Sequence, residues 1–339
     1  MGVNISDIIM AKERRLEDFR SRKIAIDAYN AIYQFLSIIR QPDGTPLMDK
    51  RGRVTSHLSG IIYRTSGLLR EGMSPVFVFD GKPPDLKRRT IESRTEARKT
   101  AKKEWEKALA EGDMEKAFSK ATRASKLEKD MVTQSKELLT KMGIPHVQAP
   151  GEGEAQASHM SSREDVWATA SQDFDSLLFG SPRLIRNLTI TGKRKLPGKQ
   201  VFVDVNPEEI ELKMALSSLE IDRKQLVELS ILMGTDYNPG IKGIGPKKAF
   251  SLIRKHGDLD TIMEKEGYEV ENAEEIKGIF LSPDVTDDYQ LEWTDPDVEG
   301  VLDFLCGGFD FSENRVRGAL DKMAGAKSAR QQQSLDEWF

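Results

Sequence analysis

The chain has 339 residues with 51 Lys/Arg, 55 Asp/Glu and a net charge of −4, long enough for one large α/β domain or two ordinary ones that need no covalent staples. One cysteine, Cys306, excludes a disulfide framework and a Cys-rich zinc site; a mean hydropathy of −0.50, with no apolar run near the ~18 residues of a membrane span, excludes a transmembrane helix. The acidic balance argues at first against a nucleic-acid partner, but residues 81–130 carry 15 Lys/Arg against 10 Asp/Glu and residues 258–303 carry 2 against 16, so local fields decide.

In chain order, the first twenty residues mix apolar and charged positions and lack the apolar core of an export signal, so a cytoplasmic protein is expected. Met1, Gly2 and Ser6 fit a myristoylation pattern, without the second signal that stable anchoring needs. KIAIDA from Lys23, PVFVFDG from Pro75 and VWATASQD from Val166 read as buried strands of a mostly parallel sheet. Each closes on an acid: Asp27, Asp80 and Asp173. Ligands of open α/β sheets bind beyond the carboxyl ends of the strands, so these three acids are expected on one rim.

Residues 86–140 are dense in Ala, Glu, Lys and Arg and contain no strand-like run. They predict two or more long helices that either project as a solvated arm or close over the site. LIRNLTI from Leu184 and VFVDV from Val201 flank TGKRKLPGK and read as a hairpin with a basic tip at Lys193, Arg194 and Lys195. From 206 onward helices are predicted, with turn chemistry concentrated in NPGIKGIGPKK. AGAKSARQQQ reads as a flexible linker.

The strongest chemical signal is seven acids: Asp27, Asp80, Glu152, Glu154, Asp173, Asp175 and Asp236. Singly, each would pass for a cap or turn carboxylate. Glu152 and Glu154 sit in PGEGEAQA, where two glycines free the backbone before a helix, and Asp173 and Asp175 alternate at a strand end. Carboxylates crowded on one rim raise one another's pKa unless cations neutralise them. Oxygen-only ligation suits magnesium or manganese, and a pair of such ions activates water for in-line phosphoryl displacement. The chemistry implied is phosphodiester hydrolysis.

IDAYNAIYQFL, VFVFDGKPPDLK, APGEGEAQA, SQDFDSLLFG, LMGTDYNPGIKGIGPKKA and a terminal QSLDEWF, in this order over nearly the whole chain, resemble the flap structure-specific endonucleases of the 5′-nuclease superfamily in their archaeal form. The resemblance implies two Mg²⁺ ions, with Mn²⁺ able to substitute. Asp80, Glu152 and Glu154 would hold one with Asp27 near it; Asp173 and Asp175 would hold the other, with Glu154 shared and Asp236 acting through water.

Lys87 and Arg94, seven apart, share a helix face that Arg98 continues. The resemblance places Lys87 and Arg94 beside the scissile phosphate as electrostatic catalysts, and the Tyr33 ring against a neighbouring base. From sequence alone Tyr33 reads as core. GIKGIGPKKAF offers backbone donors and charge to phosphates through Gly240, Lys242, Gly243, Gly245, Lys247 and Lys248; the resemblance makes it a helix-two-turn-helix on duplex DNA that holds a K⁺ ion on backbone carbonyls. In the tail, Gln332, Leu335, Trp338 and Phe339 fit a sliding-clamp (PCNA) motif.

The expected fold is α/β, a central mostly parallel sheet flanked by helices, with a helical arch insertion and the helix-two-turn-helix. One catalytic domain would span 1–330: an N-terminal region 1–98, an arch at 82–130, an internal region 116–257 with the DNA-binding element at 236–257, and a C-terminal helical region 258–325. The tail is 331–339. The expected protein is a monomeric flap endonuclease with 5′–3′ exonuclease activity that cuts branched DNA in lagging-strand maturation and repair. The alternatives are an exonuclease or junction resolvase on the same fold, or a non-catalytic clamp-bound scaffold. The acidic stretch 258–303 is expected to face away from DNA.

Overall fold

A computed structural model describes residues 2–195 and 202–336; for 193–195, 202 and 325–336 it describes only the course of the backbone. The chain builds a seven-stranded sheet from β1 (Lys12–Glu13), β2 (Lys23–Asp27), β3 (Ser74–Phe79), β4 (His146–Gln148), β5 (Ala168–Ala170), β6 (Arg183–Arg186) and β9 (Glu208–Glu211), in the order β1-β9-β6-β5-β2-β3-β4. The five strands β6-β5-β2-β3-β4 run parallel, while β9 and β1 add an antiparallel edge. A separate ribbon pairs β7 (Gly192–Lys195) with β8 (Phe202–Val205).

Period-two alternation decides what each face buries. Ile24, Ile26, Phe77 and Phe79 enter one core. It is covered by α1 (Ala28–Ile38), α2 (Ser56–Gly60), α3 (Ser66–Arg70), α6 (Lys129–Lys141), α14 (Val298–Leu302) and α15 (Glu313–Asp336). The smaller Ala25, Val76 and Val78 face the other side, where α7 (Gly153–Ser162) packs through Ala157 and Met160. Farther along, α8 (Asp175–Leu178), α9 (Leu212–Leu219), α10 (Arg223–Met233), α11 (Pro246–His256), α12 (Leu259–Glu266) and α13 (Ala273–Leu281) enclose a further core around Phe280, which meets the rings of Phe179 at 5.0 Å and Tyr237 at 5.4 Å.

The helical insertion is α4 (Arg88–Ala110), α5 (Met114–Arg123) and α6. With few large apolar residues, α4 and α5 pack through the buried methyls of Ala101, Ala108, Ala117 and Ala121. Lys120 reaches Glu104 at 2.7 Å across the same seam. The first turns of α4 close over the carboxyl ends of the strands.

Three sequence expectations are corrected. The run's first residues, Leu184–Arg186, belong to β6 inside the main sheet, because a left-handed Asn187 (φ 62°) and Gly192 (φ 116°) break the run. The ribbon therefore begins at Gly192, and Lys193, Arg194 and Lys195 lie along its first strand, opposite 202–204, instead of at a tip. Second, the region after 206 opens with a strand: β9, sequence EEIE, has one apolar residue and is held by pairing, with Arg186 on Glu208 at 2.8 Å and Arg14 on Glu209 at 2.5 Å. Third, α15 runs to Asp336 through the expected linker, since Ala, Lys, Arg and Gln are strong helix formers that extend a helix already anchored by Val316, Leu320 and Met323. The acidic stretch does not keep wholly to the far side: Trp293 Nε1 donates to Pro75 O at 2.7 Å at the start of β3, remote from the rim, but Glu271 lies 3.6 Å from Arg89 on α4 and Thr286 pairs with Gln156 on α7.

Candidate active site

Six of the seven acids are delivered to one rim by the turns that follow β2, β3, β4 and β5, and the seventh, Asp236, by the turn after α10. Asp27 closes β2 and caps α1, its Oδ1 accepting from Asn30 N at 3.0 Å, while Ser171 Oγ donates to its Oδ2 at 3.3 Å. Asp80 follows β3 and accepts from Gly153 N at 2.7 Å. That approach requires glycine, because a Cβ at 153 would lie 2.6 Å from Asp80 Oδ1. Glu152 and Glu154 flank this glycine at the start of α7. Asp175 opens α8 and accepts from Val3 N at 2.8 Å. Gly2 packs so tightly on the same carboxylate that a Cβ there would overlap it, so the residues after Met1 line the acidic rim.

The rim is strongly coupled. Burial, then Asp80 and Asp173, push Asp27 up to about 8. Burial and Glu152 raise Asp80 to about 6, and burial with Asp173 and Asp236 raises Asp175 to about 7. Glu154 is held well above the carboxylate range by burial and by Asp175, Asp27 and Asp173.

Two cations from the insertion partly answer this charge. Lys87 pairs with Glu152 and lies 3.5 Å from Asp236 Oδ2, and Arg94 Nη2 meets Asp236 Oδ1 at 2.5 Å. Burial opposes the Lys87 charge, but Glu152 and Asp236 around it hold its pKa above the usual lysine value. One turn on, the Arg98 guanidinium stands 5.0 Å over the Tyr33 ring, so this tyrosine, read as core from the sequence, is half-buried beneath a cation at the rim.

Among the described residues no three acidic, His or Cys side chains are arranged to hold one ion as they stand, and the Lys87 ammonium lies between Glu152 and Asp236. The donor set nonetheless fits hard cations. It is all carboxylate, burial and neighbouring carboxylates push Asp27, Asp80, Glu154 and Asp175 upward, and Glu152 Oε1 is buried without a partner.

A carboxylate raised in this way keeps its proton in the folded chain after the unfolded chain has lost it near 3.8. From about pH 4 up to about 8 the folded state thus binds more protons, and stability falls as pH rises. A cation entering the rim must displace those protons. Mg²⁺ is expected to raise the melting midpoint more at about pH 8.5 than at about pH 6, and calorimetric titration in two buffers of different ionisation heat should show net proton release. Equal midpoint shifts without proton release would contradict the coupling.

Farther from the rim, Gly240 (φ 71°) brings its backbone against Met233, and Ile241 N donates to Leu232 O at 2.8 Å, which ties the glycine turn to α10. Gly245 and Pro246 then start α11, leaving Lys242, Lys247 and Lys248 exposed. The side chains of Lys193, Arg194, Lys195, Gln332 and Leu335, and Trp338 and Phe339 entirely, lie outside the described residues. Sequence reasoning missed Asn30, Ser171 and Ser176, polar neighbours that touch Asp27, Asp173 or Glu154. The one signal for them was Asn30 at the third position after a capping aspartate.

Residues 2–101 match the XPG N-terminal domain and residues 143–236 the XPG I-region. The chain is 54 % identical to flap endonuclease 1 of Thermococcus onnurineus over 340 residues, covering 100 % of this chain and 99 % of that one. Flap endonuclease-1 from Methanococcus jannaschii superposes with a TM-score of 0.77 at 43 % identity, over 97 % of this chain and 100 % of that one. The catalytic core of Rad2 in complex with DNA substrate gives 0.71 at 26 % identity, over 95 % and 100 %.

Proposed function

Because the chain belongs to the flap endonuclease 1 family, and is thus a structure-specific flap endonuclease of DNA processing, we propose that its seven-carboxylate rim is where a phosphodiester of branched DNA is hydrolysed. Nucleases of this family use divalent metals. In our reading Asp80, Glu152 and Glu154, with Asp27 near them, would hold one Mg²⁺ (or Mn²⁺), and Asp173 and Asp175 the other, with Glu154 shared and Asp236 acting through water. Such ions supply an activated water and charge stabilisation at the leaving oxygen.

The protein's own groups do the rest. Lys87, in the turn that leads into α4, and Arg94, on α4, draw in the scissile phosphate and offset the charge that develops on it. To do so they must exchange their carboxylate partners Glu152 and Asp236 for phosphate oxygens. The Tyr33 ring stacks on the base beside the cut once Arg98 leaves its face. Helices α4 and α5 are the arch over the single-stranded 5′ arm. Gly240, Lys242, Gly243, Gly245, Lys247 and Lys248 hold downstream duplex phosphates, with K⁺ on the turn carbonyls, and Lys193, Arg194 and Lys195 add charge beside them. The tail residues Gln332, Leu335, Trp338 and Phe339 dock on the sliding clamp. The same rim serves 5′–3′ exonuclease action, and the setting is Okazaki-fragment maturation and repair by a cytoplasmic monomer; no helix among the described residues is long and apolar enough to cross a membrane.

The observation that carries this reading is the meeting of seven acids, from the turns after four strands and after α10, with Lys87 just before α4 and Arg94 on it, the arrangement a phosphodiester and its counter-ions require. End-labelled flap, nicked and Holliday-junction DNAs, incubated with Mg²⁺ and then with chelator, test it. Chelator-sensitive release of the 5′ arm from the flap substrate in preference to the others is expected. Junction cleavage alone would indicate a resolvase, and no chelator-sensitive product a scaffold.

A further inference from the structure

Four hydrogen bonds converge on Asn30, in the first turn of α1. Its N–H donates to Asp27 Oδ1 at 3.0 Å, its Nδ2 donates to Asp173 Oδ2 at 3.3 Å, and its Oδ1 accepts from Gln34 Nε2 at 2.7 Å and from Gln172 N at 3.4 Å. Gln34 is held in turn, its Oε1 accepting from Thr189 Oγ1 at 2.8 Å. Donors thus run in one direction, from Thr189 through Gln34 and Asn30 to Asp173. The charge at the far end selects that direction, since flipping the two amides would set the Asn30 carbonyl against the Asp173 carboxylate.

Asp173 has special need of such a donor. Asp80 and Asp175 accept backbone N–H bonds, and Asp27 caps its own helix. Asp173 lies in the turn after β5, only half-buried, and is repelled by Asp27, Glu154 and Asp175. Repulsion and hydration both favour swinging its carboxylate out to water. We infer that Asn30, locked by Gln34 and Thr189, is a positioning residue that holds the Asp173 carboxylate facing into the rim. The inference rests on the reading of Asp173 as a cation ligand, and partners of this kind orient ligands.

The test compares Asn30→Leu, which removes both polar atoms at similar volume, with Gln34→Glu and Gln34→Met, and includes Asp173→Ala. Gln34→Glu replaces the Nε2 donor by an acceptor and turns the Asn30 amide around; Gln34→Met only releases it. Two readouts are taken: cleavage of 5′-flap DNA with its kcat and KM, and Mn²⁺ binding to the metal-free protein, read from the signal of free Mn²⁺ by electron paramagnetic resonance. Asn30→Leu is expected to weaken Mn²⁺ binding and lower kcat by about 10- to 100-fold with KM unchanged. Gln34→Glu should lose at least as much, and Gln34→Met less. If Asn30→Leu proves unfolded by circular dichroism, the order of the two Gln34 variants decides. Equal losses for Gln34→Glu and Gln34→Met, or wild-type Mn²⁺ binding and kcat in Asn30→Leu while Asp173→Ala is inactive, overturn the inference. An active Asp173→Ala would instead overturn the reading of Asp173 as a ligand.

Discussion

Asp173→Ala is expected to lower flap cleavage by roughly 10³-fold or more while substrate binding and folding persist, because in the proposed two-metal reading it removes a ligand to the reaction's cations. Among the rim acids Asp173 separates chemistry from architecture best. Removing Asp27 would uncap α1, and removing Asp80 or Asp175 would strand a backbone N–H of Gly153 or Val3. Asp173 gives up only the Asn30 amide, which the half-exposed site lets water satisfy. It also raises the pKa of Asp27, Glu154 and Asp175, so the metal-free variant should melt no lower than wild type. Comparing cleavage rate, flap-DNA affinity and melting midpoint checks all three expectations. Turnover near wild type would sink the two-metal assignment, and a lower midpoint would show that Asp173 supports the fold.

Lys87→Ala should have the second-largest effect, slowing cleavage at saturating DNA by about 10²- to 10³-fold, the scale of losing one preorganised charge at the reacting group. Its signature is opposite in stability. The Lys87 ammonium is the buried counter-charge to Glu152 and Asp236 and also eases Asp27, Asp80 and Asp175. Removing it leaves buried carboxylates facing one another, so the metal-free melting midpoint should fall. Added Mg²⁺ should restore the midpoint by replacing that charge, without restoring the rate. A rise in KM at unchanged kcat would make Lys87 a steering residue, outside the transition state.

Much of the site is legible in one dimension. Apolar β-branched runs ending in Asp27 and Asp80 mark β2 and β3, and a third such run marks β5 ahead of Asp173. The insertion is legible too, because 23 residues of α4 without a glycine or proline leave few other conformations. The edge strands are not. The residues of β1 and β9 are chiefly Lys and Glu, and strands of 2 and 4 residues show no periodicity. Their strand geometry is imposed by pairing, β9 with β6 and β1 with β9, and by Arg186 and Arg14 on the β9 glutamates Glu208 and Glu209. The ribbon is misplaced by sequence reasoning for a related reason: one left-handed asparagine splits an apolar run that otherwise reads as continuous.

By itself the sequence determined the candidate groups of the site: seven acids, two cations seven residues apart, and a charge distribution divided between a basic insertion and an acidic stretch. Backbone propensity and residue chemistry are local, so a linear reading retains them. Tertiary structure alone decided how those groups are used. Burial raises the pKa of Asp27, Asp80, Glu154 and Asp175, Lys87 and Arg94 fold back onto Glu152 and Asp236, and Thr189, Gln34 and Asn30 align toward Asp173. Each depends on burial and on distances between residues up to 155 positions apart, which no local pattern encodes. The net charge of −4 therefore describes a molecule in which seven acids gather at one rim, many of the others lie in the acidic stretch 258–303, and Lys242, Lys247 and Lys248 stay exposed.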